Sequence, residues 1–257
     1  TLVVTPTTML SATLGLTELT VNAGGPYTGE EGSPVSLVAE GARLTPGRIS
    51  YRWDLDDDGV YDDAAGNWTT TIFYDEGEYA VGVEAADAAG RVITGTATVV
   101  VSNVAPTIYG TGDKRAGEGE RISFSAIVYD PGHDVLFYSW DFGDGTGETG
   151  RLEPEHIYED DGDYVVRFRA EDNDGGVTDA YFIARVANLP PQVDAGPDQE
   201  VDEGGTARFS GRASDEGSRD TLSYAWDLDY DGENIRADEV GPRATRVYAD
   251  GPAELVA

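Results

Sequence analysis

Residues 158–170 read "YEDDGDYVVRFRA" (Tyr158–Ala170), and the last seven decide the fold. Tyr164, Val166, Phe168 and Ala170 fall on one face, with Arg167 and Arg169 opposite. Side chains that alternate apolar and polar with period two are those of a half-buried β-strand. Working outward, "RISFSAIV" (Arg121–Val128) puts Ile122, Phe124, Ala126 and Val128 on one face, and "VLFYSW" (Val135–Trp140) does the same with Leu136, Tyr138 and Trp140. About seven such strands in roughly 85 residues, separated by Gly/Asp turns, predict an antiparallel Greek-key β-sandwich. Trp140 is then the core anchor of a central strand. Tyr164, just after the Gly162 turn, stands where a tyrosine corner belongs.

The same landmarks occur three times. Trp-Asp pairs stand at Trp53-Asp54, Trp140-Asp141 and Trp226-Asp227, spaced by 87 and then 86 residues. Upstream of each is a Glu-Gly pair: Glu31-Gly32, Glu118-Gly119 and Glu203-Gly204. Downstream of each is an aromatic-acid-glycine turn: "YDEGEY" (Tyr74–Tyr79), "YEDDGDY" (Tyr158–Tyr164) and "YADGPA" (Tyr248–Ala253). Features that advance in step mark one architectural unit repeated along the chain. The joints "VVVSNVAPT" (Val99–Thr107) and "RVANLPPQV" (Arg185–Val193) each place Pro within three residues of Asn, which favours a stiff, extended connection. The expected organisation is an N-terminal segment over 1–20 and repeats over 21–103, 104–188 and 189–257. "TLVV" at the start reads as the end of a preceding domain. The third repeat is expected to lack its last strand and loop, leaving a sheet edge prone to fray. The chain thus reads as an excerpt of a longer protein, its targeting signal outside the excerpt.

Composition narrows the function classes. Of 257 residues, 49 are acidic and 17 basic, a net charge of −32, with Lys114 the only lysine. Such a surface repels nucleic acid and anionic lipid, so neither is an expected partner. Two explanations for the acid stay open: a general solubilising or salt-adapted surface, or local carboxylates that bind divalent cations. Cysteine is absent, so no disulfide holds these domains together. No apolar run reaches transmembrane length, and membrane insertion of this segment is not expected.

The Trp-Asp pairs open two Asp-rich turns. "DLDDDG" supplies Asp54, Asp56 and Asp58 with Gly59, and "DLDYDG" supplies Asp227, Asp229 and Asp231 with Gly232. Carboxylates at i, i+2 and i+4 of a tight turn can converge on one calcium ion. The opening half matches the EF-hand loop, but the twelfth position is Ala65 or Asp238 where an EF-hand has Glu, and no helical pattern flanks it. Asp62 and Asp63 are candidate extra ligands. The alternative is plain turn chemistry, since Asp and Gly are ordinary turn residues. Mutual repulsion among six neighbouring aspartates favours a counterion.

Nothing in the sequence assembles a catalytic constellation. His133 in "DPGHD" and His156 in "PEHIY" are expected in exposed loops or edges. Neither H-E-x-x-H nor G-x-S-x-G occurs, and "GDGTGETG" (Gly143–Gly150) reads as a hairpin turn. The chain is therefore expected to be no enzyme. "NWT" (Asn67–Thr69) is a glycosylation sequon whose Trp68 is expected in a loop, packed peripherally or stacking on sugar. Phe137 and Phe182 are read as out of the inward register or in an inter-domain contact.

"WDFGDG" (Trp140–Gly145), "HIYEDDGDYVVRFRAEDNDGG" (His156–Gly176), the Glu-Gly turn and the "NLPP" joint together resemble the polycystic kidney disease (PKD) domain over about residues 21–257. The resemblance implies an all-β fold of tandem immunoglobulin-like (PKD-type) Greek-key β-sandwiches. It also implies calcium at the domain entrance, held by the joint Asn, the Asp after the core Trp and the Asp of the loop before the last strand. Those are Asn103, Asp141 and Asp172 in the second repeat, and Asn188 and Asp227 in the third. In the first they are Asp54 and Asp87, with Leu16 where the Asn belongs. Ala253 replaces the corner Tyr of the third repeat. The implied function is a non-catalytic extracellular or cell-surface spacer, calcium-stabilised, with neighbouring domains of a longer chain as its partners. The alternative is an accessory binding or adhesion module for polysaccharide or surface protein, attached to a secreted hydrolase.

Overall fold

A computed structural model describes residues 19–43 and 47–249, and every regular element in them is a β-strand. The expectations placed on Leu16, Ala253, the "TLVV" start and the chain end lie outside the described residues. The described residues contain no helix long and apolar enough to cross a membrane. The chain forms two compact units. The first holds the described residues up to Pro106 together with Tyr129–Leu136 and Glu171–Val177. The second holds Thr107–Val128, Phe137–Ala170 and the residues from Thr178 on. Two loops of the second repeat, 129–136 and 171–177, are thus part of the first unit.

The first unit contains a five-stranded sheet in the order Tyr27–Glu30, Val92–Ser102, Gly77–Asp87, Ile49–Asp54, Ala64–Ala65. Its long strands run antiparallel, while Tyr27–Glu30 lies parallel to Val99–Ser102 at the edge. The antiparallel ribbons Pro34–Val38 with Trp68–Ile72, and Thr20–Asn22 with Glu40–Ala42, supply the opposing layer. Between the layers Trp53, Leu37, Val81, Val83 and Val99 are fully buried. Burying the valines and leucine contributes about 1.5–3 kcal/mol each.

The second repeat builds the same sheet from Lys114–Gly117, Val177–Ala187, Gly162–Glu171, Phe137–Asp141 and Gly147–Thr149, again with a parallel edge strand. Its core joins Ile122, Phe124, Trp140, Val166, Phe168 and Phe182. In the third repeat the described core is smaller, Trp226, Leu228 and Ala244 with Phe209 against them. The fold class is the one expected: all-β, in tandem immunoglobulin-like sandwiches.

Each core Trp is pinned alike. Its indole N–H donates to a carbonyl of the adjoining hairpin: Trp53 to Gly66 (2.9 Å), Trp140 to Arg151 (2.8 Å) and Trp226 to Gly241 (3.0 Å). The expected tyrosine corner forms, Tyr164 donating to Asp160 O at 2.9 Å, and Tyr79 makes the same bond to Asp75 O at 2.9 Å in the first repeat. Three expectations need correction. Phe182 is a core residue, 5.9 Å from Phe124 and 6.1 Å from Trp140 between ring centres, while Phe137 faces outward. Trp68 begins a strand, paired with Val38, and is exposed. His156 is half-buried: it stacks on Phe142 at 4.1 Å and bonds the Asp144 carboxylate at 2.7 Å. His133 is exposed as expected and stacks on Tyr74.

Candidate metal centres

The Glu-Gly pair follows the parallel edge strand, where the chain must turn across the end of the sandwich. Gly32 adopts φ +64° and Gly119 φ +73°, a left-handed conformation that glycine takes without a Cβ penalty. Their amides donate to Phe73 O and Tyr158 O. Close packing requires glycine as well: a Cβ on Gly32 would lie 2.4 Å from Pro131 O, and one on Gly119 2.9 Å from Glu216 O. These approaching loops bury the neighbouring glutamates completely. Glu31 Oε1 accepts the Val104 amide at 2.7 Å, and Glu118 Oε1 accepts the Leu189 amide at 2.6 Å. In both, Oε2 is buried with no hydrogen-bond partner. The third pair contrasts: Glu203 is exposed, and the space beside Gly204 is open among the described residues.

In the first unit the approaching loop is Asp130-Pro131-Gly132-His133-Asp134. Asp130 Oδ1 accepts the Gly132 amide at 2.9 Å, which folds the loop tightly. Gly132 sits so close that a Cβ would meet Glu31 Oε2 at 2.8 Å and Asp134 Oδ2 at 2.9 Å. From the other loop comes Asp172, buried, whose Oδ1 accepts the Asp174 and Gly176 amides. Asn103 Nδ2 donates to both Asp172 oxygens at 3.1–3.2 Å. Carboxylate oxygens of Asp130, Asp134 and Asp172 lie within 4.8 Å of one another, and so do those of Glu31, Asp75, Glu76 and Asp134. Asp134 belongs to both groups. Five oxygens here are buried and unpartnered: Glu31 Oε2, Glu76 Oε2, Asn103 Oδ1, Asp130 Oδ2 and Asp134 Oδ2.

Like charges about 4 Å apart repel by about 4 kcal/mol at an effective dielectric constant of 20. The proton affinities record that strain. Partial burial, with Glu31, Asp130, Asp174 and Asp172 nearby, pushes the Asp134 carboxyl up to about 6. Burial also raises Glu31, with Asp130, Glu76 and Asp172 adding to it and the Val104 hydrogen bond opposing it. A cation that supplied positive charge and accepted oxygen lone pairs would resolve both problems.

The second unit repeats the theme with fewer acids. Glu118, Asp160 and Asp220 place carboxylate oxygens within 4.8 Å of one another. A Cβ on Gly217 would meet Glu118 Oε2 at 2.5 Å and Asp220 Oδ2 at 3.2 Å. Asp215 accepts the Gly217 amide, as Asp130 accepts that of Gly132. Burial raises the Asp220 carboxyl, helped by Asp215, Asp160 and Asp161.

The Asp-rich turns differ between repeats. In the first, Asp54 is buried, its Oδ2 accepts the Gly59 amide at 3.0 Å, and its Oδ1 is buried without a partner. Asp54, Asp56 and Asp58 bring oxygens within 4.8 Å. In the third, Asp227 gathers with Asp229 and Asp238, and its oxygens accept the Asp229 and Arg236 amides. Arg246 lies 3.7 Å from Asp229 and 3.8 Å from Asp238. Asp231 is outside that group and caps the Glu233 amide.

Of the residues expected at the entrance site, Asn103 and Asp172 come together, but Asp141 does not join them. Trp140 faces the core, so Asp141 at the next position faces solvent, where it caps the Gly143 amide and lies 3.7 Å from Arg167. The tight "DFGDG" turn never folds back over it as the longer turns do over Asp54 and Asp227. Asp130 and Asp134 stand with Asn103 and Asp172 instead. Asp87 is held by Arg91, which bonds its carboxylate and lowers its proton affinity, and it belongs to no acidic group among the described residues. Asn188 is exposed and donates to Leu189 O. The buried glutamates are visible in the sequence only as repeated turn residues. The recurring "DPGHD" and "DEGSRD" stretches, before the core strand, are the other available signal.

Tandem sandwiches with Trp-anchored cores, tyrosine corners and short Asn-Pro joints define an array of immunoglobulin-like modules. Profiles described as "PKD domain" match residues 18–101, 103–185 and 188–251, and the chain belongs to the PKD domain family. A curated relative, a microbial collagenase of Vibrio alginolyticus, is 36% identical over 77 residues. That match covers 30% of this chain and 9% of the collagenase's length. Solved structures with some likeness include the titin I-band fragment I67–I69, at 12% identity and TM-score 0.36, covering 90% of this chain and 89% of that one. Another is a three-domain fragment of the outer capsid protein Hoc of bacteriophage RB49, at 14% identity and TM-score 0.30, covering 90% and 86%.

Proposed function

We propose that this array is a non-catalytic, calcium-stabilised spacer in a secreted or cell-surface protein. The observation that supports it most is the convergence of Asn103, Asp130, Asp134 and Asp172, with three of their oxygens buried and unpartnered. The donors are all hard oxygens, which suits calcium, an ion that takes six to eight oxygen ligands in flexible geometry. Extracellular modules bind calcium at about 10⁻⁴–10⁻³ M, so such a site fills where calcium is millimolar. Loaded, it would fix loops 129–136 and 171–177 to the joint at Asn103 and restrict hinge motion there. The Asp54–Asp56–Asp58 turn is a further candidate for the same ion. Melting the protein in EDTA and in millimolar calcium tests this reading. A ligand bound only by the native state raises the melting temperature, so an unchanged melt removes calcium from the proposal.

A second reading, an accessory binding module beside a hydrolase, draws on the match to the microbial collagenase. Incubation with insoluble collagen, chitin or cellulose separates the two. A spacer remains in the supernatant, and a binding module sediments with its polymer.

A further inference from the structure

We infer that the Glu-Gly turns build a second class of divalent-cation site in which the turn glutamate is the central ligand; in the first unit it shares Asp134 with the Asn103–Asp172 site, and in the second it shares no residue with that site. Its members are Glu31 with Asp75, Glu76 and Asp134 in the first unit, and Glu118 with Asp160 and Asp220 in the second.

Four observations carry this. First, both glutamates are fully buried and each leaves Oε2 without a hydrogen-bond partner, aimed at the neighbouring acids. An ionised carboxylate in that position is costly unless a charge or donor faces it. Second, the arrangement recurs at equivalent places. Each cluster takes one residue from the Glu-Gly turn and one from the turn of the tyrosine corner, Asp75 or Asp160. Each takes another from the loop before a core strand, Asp134 or Asp220. Third, both loops put a glycine where a Cβ would press on the glutamate Oε2, at Gly132 and Gly217. The backbone thereby keeps the space beside that oxygen clear of side chain. Fourth, the Glu118 group forms although Asn188 turns away to its own neighbour, so it does not need the asparagine that the other site uses.

The competing explanation is a proton: a carboxylic acid could hydrogen-bond a neighbouring carboxylate in place of metal. The substitutions Glu118→Gln and Asp220→Asn separate the two. A side-chain amide can stand in for a protonated acid but cannot match a carboxylate as a ligand for a hard cation. Glu118→Gln also retains a side-chain carbonyl to accept the Leu189 amide.

The experiment counts calcium bound to the full chain by equilibrium dialysis at millimolar calcium and neutral pH. It compares the native sequence with Glu118→Gln, Asp220→Asn and Asp172→Asn. Glu118→Gln and Asp220→Asn are each expected to weaken one site by on the order of tenfold or more, so that the bound-calcium count falls by a large fraction of one ion. Asp172→Asn is expected to leave that ion in place. In EDTA, Glu118→Gln is expected to melt no lower than the native chain, since a neutral amide needs no counter-charge in that buried position. Unchanged ion counts in both Glu118→Gln and Asp220→Asn would overturn the inference. If Glu118→Gln does not fold, the Asp220→Asn count alone decides. Loss of an ion in Asp220→Asn but none in Asp172→Asn would support this site while removing the Asn103–Asp172 one.

Discussion

The Glu31 carboxylate accepts a 2.7 Å hydrogen bond from the Val104 amide, 73 residues further along the chain. Glu118 repeats the bond to Leu189 at a separation of 71. A turn glutamate thus holds the first residue after each joint asparagine. One oxygen fixes the backbone, and the other is presented to acids of an approaching loop. At the proposed site, joint geometry and metal binding would therefore be coupled through a single side chain.

Calcium should stabilise the ion-free protein by an amount set by mass action. With a dissociation constant of about 10⁻⁴–10⁻³ M, 10 mM calcium adds about 1.4–2.7 kcal/mol per native-only site. Asp172→Asn should lose that increment at its own site, because the variant keeps the loop hydrogen bonds but not the charge. Paired thermal melts of both proteins, with and without calcium, read the difference. Equal calcium responses would refute the assignment of Asp172 as a ligand.

The same acids predict an uncommon pH dependence. Asp134 moves from 3.8 to about 6 through burial and the facing carboxylates of Glu31, Asp130, Asp174 and Asp172. A carboxyl with raised affinity binds its proton more tightly in the folded than in the unfolded chain. Its effect on stability is thus least unfavourable below 3.8, and stability is lost as pH rises through about 6. In EDTA, Asp134→Asn should flatten this part of the melting profile. In calcium the ionised acids become ligands, so the metal's contribution should grow over the same window. The EDTA and calcium profiles should converge in acid and separate above about pH 6. Parallel profiles would contradict the prediction.

Gly32 and Gly204 allow a matched comparison at equivalent turns. Both adopt positive φ, at +64° and +77°. Gly204→Ala should cost only the left-handed penalty of about 1–2 kcal/mol, because its Cβ meets open space. Gly32→Ala should cost that and roughly 1–3 kcal/mol more for overpacking against Pro131. Urea denaturation of the two variants gives the comparison, and equal losses would show that the Pro131 contact carries no weight.

Much of the sandwich is legible in the sequence because it rests on local pattern. Alternation around Phe168 and the Trp-Asp period each depend on a few adjacent residues. The errors arise where the deciding contact is distant. Nothing near Glu31 in sequence shows that Pro131 and Gly132, a hundred residues on, will bury it. Asp141 fails for another reason. Its repeat position makes it equivalent to Asp54, and both lie opposite the core Trp, but only the longer Asp-rich turn folds back to bury its aspartate. Phe182 follows plain alternation: counting back from Ala184 and Val186 places it inside. Asn103 and Asp172 are legible through the family resemblance, whereas Asp130 and Asp134 require the loop's fold.

The tyrosine corners should matter through one hydrogen bond each. Tyr164→Phe removes the 2.9 Å bond to Asp160 O while keeping the ring against Tyr158. A typical intramolecular hydrogen bond is worth about 1 kcal/mol net, and that is the expected loss. Because Asp160 is also a candidate ligand, the variant should show a weaker calcium response at the Glu118 group. Chemical denaturation with and without calcium checks both parts, and a loss in neither would detach the corner from the proposed Glu118 site.

Only the first of the two Asp-rich turns should respond to metal. In the first repeat Asp54 Oδ1 is buried without a partner, and burial raises the nearby Asp56 carboxyl, with Asp58, Asp63 and Asp54 adding to the effect. In the third, the Arg236 amide bonds Asp227 and lowers its proton affinity, and Arg246 lies beside Asp229 and Asp238. Among the described residues no ion pair is made by Asp54, Asp56 or Asp58, whereas Arg246 lies beside the third turn. Asp54→Asn should therefore reduce the calcium-dependent rise in melting temperature, whereas Asp229→Asn should leave it unchanged. Arg246→Gln should then make the third turn calcium-responsive, because it exposes three carboxylates to one another. Terbium luminescence sensitised by the adjacent Trp53 or Trp226 distinguishes the turns. The prediction fails if the native third turn binds terbium as well as the first, or if Arg246→Gln leaves its signal unchanged.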